Sequence, residues 1–200
     1  MSGAAKVAVI VLAAGKSRRY GAGNKLLSRY QGKPLSAHVA ACLQGIPYSF
    51  GVVVARDPMV ASLFRRTRLR PLFPDNTNTQ SETLKAGLRY VKKHGASHAL
   101  LLLGDMPNVS RQHIKRMVAK VGAHPVISHN GKSCLPPALI PRHLFGKLQH
   151  LRGDTGAGKM LLRHPSLIRI SLDVRQAVDI DTKPKAFPAK VRSGFALDNA

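Results

Sequence analysis

Val7-Ala8-Val9-Ile10-Val11-Leu12-Ala13-Ala14-Gly15-Lys16-Ser17-Arg18-Arg19-Tyr20-Gly21-Ala22-Gly23-Asn24-Lys25-Leu26-Leu27 decides how the rest of the chain is read. The run Val7–Ala13 is apolar without polar alternation, the pattern of a strand buried on both faces. After it come small residues and four cations, Lys16, Arg18, Arg19 and Lys25. Backbone N–H groups of such a loop can approach phosphate oxygens closely, because Gly and Ala add no bulk, and the cations neutralise charge. On composition alone, a basic surface loop following a core strand fits equally well.

Outward from this stretch, short β-branched runs alternate with helical patterns. Helices are predicted over Leu35–Leu43, Pro58–Arg66, Glu82–Lys93, Arg111–Lys120, His143–Leu151 and Thr155–Arg163, with Ser110 as an N-cap. Strands are predicted over Gly51–Ala55, His98–Leu103, Val126–Ser128 and Leu167–Ser171. This alternation gives an α/β fold with a largely parallel sheet, in which ligands bind beyond the carboxyl ends of strands. The segments Ala14–Lys25 and Gly104–Pro107 therefore matter most. Residues 1–182 form the expected domain, and residues 183–200, with two prolines and no long apolar run, an expected loosely held tail.

The bulk numbers bound the function. With 200 residues and 44% hydrophobic content, the chain can bury one core. The run Val7–Ala14 is too short to span a bilayer and lacks a cleavage pattern, so a cytoplasmic protein without membrane attachment is expected. Cys42 and Cys134 show no paired spacing and predict two buried or half-buried thiols. The 32 Lys and Arg against 9 Asp and Glu give a formal charge of +23, which draws polyanions. Aromatic content is 5% with no tryptophan, so stacking platforms for single-stranded nucleic acid are scarce. The dense cluster Arg65-Arg66-Thr67-Arg68-Leu69-Arg70 reads as a solvated basic face.

Gly104-Asp105-Met106-Pro107 places one carboxylate at a strand's carboxyl end, a good position for Mg²⁺, which favours oxygen ligands. Capping of the next helix is the plain alternative. Asp179-Ile180-Asp181-Thr182 offers a second carboxylate, Asp181, which by itself also reads as a solvated turn.

Taken together these segments resemble the MobA-like nucleotidyltransferases. Gly15, Ser17, Arg19, Gly21 and Lys25 match the family's glycine-rich signature, with Tyr20 where methionine is usual. Leu100–Pro107 resembles its strand ending in Asp-Met-Pro, and Gln80–Leu88 its base-recognition loop and helix. Gly153-Asp154-Thr155-Gly156-Ala157 and Asp179–Pro184 are similar to its last two elements, although Lys183 intrudes before Pro184. The pairing of Leu12-Ala13-Ala14-Gly15 with Asn24-Lys25-Leu26-Leu27 is closest to the molybdenum cofactor cytidylyltransferases. The resemblance implies a Rossmann-like three-layer sandwich of the nucleotide-diphospho-sugar transferase kind. It also implies transfer of CMP from CTP to the terminal phosphate of molybdopterin. By the same resemblance, Leu12, Ala13, Ala14, Gly15 and Ser17 line the nucleotide, Ser81 and Thr83 help hold base or ribose, and Arg19 and Lys25 hold the phosphates. Asp105 and Asp181 would hold Mg²⁺, so that Arg19, Lys25 and Asp105 carry the chemistry. An acidic receiving molybdoenzyme or its chaperone is the implied protein partner.

A guanylyl- or sugar-phosphate nucleotidyltransferase on the same fold is the near rival. A basic nucleic-acid- or partner-binding protein without catalysis is the distant one, against which stand the missing recognition motif and the few aromatics. Gly153–Lys159 fits most of a P-loop, but Met160 replaces the metal-binding hydroxyl and a helical pattern precedes it. His94 and His98 lack a third ligand nearby, and Pro136-Pro137 reads as a rigid turn.

Overall fold

The computed structural model describes residues 5–15, 23–75 and 79–178. Strand β1 (Val7–Ala13) is buried along its whole length, as its unbroken apolar run predicts. It pairs in parallel with β4 (Phe50–Ala55) on one side and with β6 (His98–Leu103) on the other. Among the described residues the sheet has seven strands in the order β5-β4-β1-β6-β8-β7-β9, with β5 Leu69–Leu72, β7 Val126–His129, β8 Cys134–Pro141 and β9 Ile168–Ser171. Only β8 runs against the rest. A separate small hairpin pairs β2 (Arg29–Tyr30) with β3 (Lys33–Pro34) around Gln31 and Gly32, which both have positive φ.

The helices cover both faces. Val7, Val9, Val11 and Ala13 of β1 share one core with α1 (Leu35–Cys42), α2 (Pro58–Ser62) and α4 (Arg111–Val118). Ala8, Ile10 and Leu12 share the other with α3 (Gln80–Lys93), α5 (Phe145–Leu148) and α6 (Ala157–Leu161). The period-two alternation of one strand thus feeds two cores, and the molecule is a three-layer sandwich. Helix α3 lies tight on the sheet at Gly87, where an added Cβ would come within 2.6 Å of Ile10 Cγ2. Among the described residues no helix is long and apolar enough to cross a membrane.

Several expected boundaries are corrected. The helix expected over Pro58–Arg66 ends at Ser62, and that over His143–Leu151 divides into a 3₁₀ turn, Arg142–Leu144, and α5. Helices α4 and α6 are also shorter than expected, because their last residues close tighter turns. Strand β5 was hidden inside the basic cluster; as an edge strand it tolerates Pro71 and exposed Arg70. Pro136 and Pro137 form no isolated turn but lie within β8, at a bulge facing β7 between Ile127 and Ser128. There the Ser128 hydroxyl donates to Pro137 O at 2.9 Å and lies 2.7 Å from His113 Nε2.

Cys42 and Cys134 are unpaired and half-buried, as expected, and burial pushes the Cys42 thiol up to about 12. His98 Nε2 lies 2.9 Å from Gly122 O and His94 Nδ1 lies 2.8 Å from Tyr90 O, so each ring has its own backbone partner.

Candidate active site

The sheet reverses its winding at β1. From β1 the chain builds outward through β4 and β5, then crosses by α3 to place β6 on the other side. A crevice opens at such a switch point beyond the carboxyl ends of the two adjacent strands. Here those ends are Ala14-Gly15 and Gly104-Asp105, held together by Gly104 N donating to Leu12 O at 2.9 Å. Gly104 is wedged between them: a Cβ there would meet Ser36 Oγ at 3.1 Å and Ala13 Cβ at 3.2 Å. The buried Ser36 hydroxyl, in the first turn of α1, donates to Gly104 O at 2.6 Å and fixes the loop that carries Asp105.

Into this crevice comes Lys25. It opens a 3₁₀ turn, Lys25–Leu27, capped by Asn24, whose Oδ1 accepts from Leu26 N at 3.0 Å. Asn24 Nδ2 also donates to Asp57 Oδ2 at 2.8 Å, just beyond the end of β4. The other Asp57 oxygen caps α2 by accepting from Met59 N. One acidic side chain therefore fastens the lysine's turn to a third strand end. Lys25 Nζ reaches Asp105 Oδ2 at 2.8 Å, with the two side chains 9% and 23% exposed. The lysine is the more enclosed partner, and the carboxylate keeps a face toward solvent.

Among the described residues, no group of three or more His, Cys, Asp or Glu gathers to cage a metal ion. One strand-end carboxylate is still a fitting donor for Mg²⁺, which binds one or two protein carboxylates and completes its shell with water and phosphate. Arg19, Ser17 and Asp181, and the expected tail from residue 183, lie outside the described residues.

Ser81 and Thr83 lie at the start of α3, 1% and 4% exposed. Their hydroxyls are engaged with the N-cap: Thr83 Oγ1 donates to Thr79 O at 3.1 Å, and Ser81 Oγ lies 3.1 Å from Thr79 Oγ1. Thr79 and Glu82 close a reciprocal capping box. The Gly153-Asp154 loop sits on the same helix end, with Ser81 N donating to Gly153 O and Gln80 N to Asp154 Oδ1, each at 3.2 Å. The two motifs around Gln80 and Gly153 thus form one unit. The element directly before Gly153 is helix α5 rather than a strand, so the P-loop-like spacing has no P-loop geometry. Ala14 is buried while Gly15 is exposed, so of these two residues it is Gly15 that faces outward.

Residues that sequence reasoning passed over also shape the site. Asn108, just after Asp105-Met106-Pro107, accepts from Tyr30 Oη at 3.1 Å and donates to Arg175 O at 3.0 Å. Ser110 N donates to Gln176 Oε1 at 3.0 Å. The segment leading to Asp179 is thereby tied to the loop of Asp105. The Asp57-Pro58 pair did carry a readable helix-start signal, but its link to Asn24 joins residues 33 apart.

The MobA-like NTP transferase domain matches residues 9–168. The chain belongs to the MobA-like NTP transferase family. It is 26% identical over 162 residues to the purine catabolism protein PucB of Bacillus subtilis, covering 76% of this chain and 78% of PucB. A nucleotidyl transferase from Methanothermobacter superposes with a TM-score of 0.74 at 20% identity, covering 88% of this chain and 92% of the other. The manganese complex of Rv0371c from Mycobacterium tuberculosis superposes at 0.67 with 20% identity, covering 84% and 89%. These likenesses establish the sandwich fold expected of a MobA-like nucleotidyltransferase.

Proposed function

We propose that this cytosolic protein transfers CMP from CTP to the terminal phosphate of the molybdopterin cofactor, releasing pyrophosphate. The observation that supports it most is the enclosed Lys25–Asp105 pair at the switch point, where a cation and a carboxylate meet beside the glycine-rich strand end. Phosphoryl-type transfer asks mainly for positioning and charge neutralisation. An oxygen of the acceptor's terminal phosphate forms a bond to the α-phosphorus of CTP. The bond from that phosphorus to the β-phosphate bridging oxygen breaks, and pyrophosphate leaves with the electron pair. No side chain has to become a covalent nucleophile.

In this reading Leu12 to Gly15 and Ser17 border the nucleotide, and Arg19 and Lys25 take the phosphate charge. Ser81 and Thr83 act from behind, by fixing the helix end on which base and ribose rest. Mg²⁺, when bound, neutralises charge at the α-phosphate, and Asp105 with Asp181 would hold it. The tether from Asn108 to Arg175 favours a shared role for those two carboxylates. The formal +23 charge steers the polyanionic cofactor, and an acidic receiving molybdoenzyme or its chaperone, toward the protein. The domain ends near residue 182, with residues 183–200 as a tail.

The choice of CTP rests on the motif pair around Ala14 and Lys25. The test offers equal CTP and GTP with Mg²⁺ and molybdopterin, and separates products by chromatography. A cytidylylated product should dominate; a predominantly guanylylated one refutes the assignment.

A further inference from the structure

The six described acidic residues, Asp57, Asp75, Glu82, Asp105, Asp154 and Asp173, share one pole of the molecule. Each follows the carboxyl end of a strand or sits at the start of α3 and its docked loop. The opposite pole, where β1, β4 and β5 begin, carries none of them. There a cavity of about 470 Å³ is lined by Lys6, Arg68, Arg70, Phe50, Tyr90 and His94 among others, with no acidic residue.

Arg68 Nη1 donates to Tyr48 O at 2.9 Å and its guanidinium lies 5.9 Å from the Tyr48 ring centre, which holds its charge at the rim. Arg70 pairs in register with Val52, a member of the α3-side core, and is exposed on that side. Lys6 Nζ lies 5.3 Å from the Phe50 ring centre and donates to His94 O at 3.1 Å. The Tyr90 and His94 rings stack at 4.1 Å, with Phe50 tilted 6.0 Å from His94. Because Tyr90 O only accepts, His94 Nδ1 carries the proton in that 2.8 Å contact, and Nε2 stays available. The end of α3 would repel an anion through its carbonyls. Here cations cover them: Lys6 holds His94 O, and Arg142 Nη1 holds Lys92 O at 3.2 Å and Ala96 O at 2.8 Å.

We propose that this pole is a second ligand site, built for a nucleotide unit whose phosphate meets Arg70, Arg68 and Lys6 and whose base lies against the Phe50–Tyr90–His94 aromatic group. Clustered cations without a described carboxylate partner repel one another, and a bound phosphate relieves that repulsion. The stacked Tyr90–His94 pair adds what a bare phosphate cannot use, since every base offers a π-face. A cavity of this size is within the range of small-ligand pockets. The seven residues of β1, at about 3.3 Å each, set it roughly 20 Å from the Lys25–Asp105 crevice. It is therefore separate from the site of the proposed transfer. The same chemistry is offered by a free nucleotide and by one unit of a single strand.

The test uses the full chain in EDTA, which disfavours triphosphate binding at the metal-dependent crevice. Fluorescent N-methylanthraniloyl-AMP is titrated by anisotropy, with AMP, adenosine, inorganic phosphate and a mixed-sequence RNA octamer as competitors. Arg70→Ala and His94→Ala should each raise the Kd by at least about fivefold, as loss of a charge-assisted contact or a stacking partner implies. Lys25→Ala and Asp105→Asn should leave it unchanged. AMP should compete at least about tenfold better than phosphate or adenosine, because both halves contribute. An octamer that outcompetes AMP beyond its eight-unit statistical advantage assigns the site to a strand; equal competition per nucleotide assigns it to free nucleotide. The proposal is overturned if the pole variants, shown folded by unchanged circular dichroism, bind as well as the parent, or if phosphate competes as well as AMP.

Discussion

Lys25→Met removes the ammonium that faces Asp105 while keeping an apolar stem in the enclosed turn. At the observed 2.8 Å, the gross attraction between unit charges runs from about 1.5 kcal/mol in water to about 6 kcal/mol at an effective dielectric of about 20. Desolvation of the enclosed lysine offsets much of that, and the 23% exposed carboxylate recovers some hydration once its partner is gone. The net loss of stability should be about 1–3 kcal/mol. The activity effect has a different origin. If Lys25 faces charge developing in the transition state, kcat/KM should fall by about 100-fold or more, near 2.7 kcal/mol. Adding Asp105→Asn separates the two. The neutral amide no longer needs a counter-charge, so Lys25→Met/Asp105→Asn should recover at least about 1 kcal/mol relative to additivity. Its activity should remain lost. Urea melts give the stabilities, and pyrophosphate release with CTP, Mg²⁺ and molybdopterin gives the rates. A Lys25→Met protein within about 0.5 kcal/mol of the parent and within threefold in kcat/KM would refute both arguments, since measured surface substitutions cover that range.

Asp105→Asn alone should abolish turnover in Mg²⁺ while the protein still melts cooperatively; near-normal turnover removes Asp105 from the metal role. Gly87→Ala sets about 1 kcal/mol of gained helix propensity against a methyl pressed on Ile10, and should lower stability by a net 1–2 kcal/mol or so in urea melts. Burial, helped by the Arg116 charge, pulls the His113 imidazole down from 6.5 to about 4. The unfolded chain therefore binds the extra proton first as pH falls. This stability contribution, present above pH 6.5, is lost toward about pH 4. Taken over the whole shift it amounts to roughly 3 kcal/mol. His113→Gln should flatten the dependence of urea midpoints on pH between those limits, and an unchanged slope removes His113 as its source.

The sandwich was legible because β1 is written as an uninterrupted apolar run and the chain alternates periods of two and 3.6 after it. Two strands of the seven-stranded sheet escaped notice for the same physical reason. β5 and β8 hold prolines, which break a strand pattern in the sequence but are accommodated at a sheet edge and at a bulge. Lys25 and Asp105 were each picked out by local surroundings, but their contact joins residues 80 apart. No local pattern encodes such a pairing; it follows from the order in which strands are laid down. Ser36 and Asn108 were missed for a related reason. A serine in a helix and an asparagine after a proline turn look ordinary until the sheet brings Gly104 and Arg175 to them. The basic cluster read as a solvated face, and its division between a surface turn and the rim of a cavity depends wholly on where β5 lies.

The central position of β1 also sets a schedule for synthesis. This strand leaves the ribosome well before its partner on one side, β6, which starts about 90 residues later. At roughly 5–20 residues per second, the nascent chain spends on the order of 5–20 s with that edge open. The exposed segment is seven residues long, apolar and free of charge and proline, which is the composition that recruits other strands. Lys16, Arg18 and Arg19, which follow closely, act as gatekeepers against such pairing while the partner is still being made. The basic segment that we propose meets phosphate thus also guards this apolar strand before the fold exists.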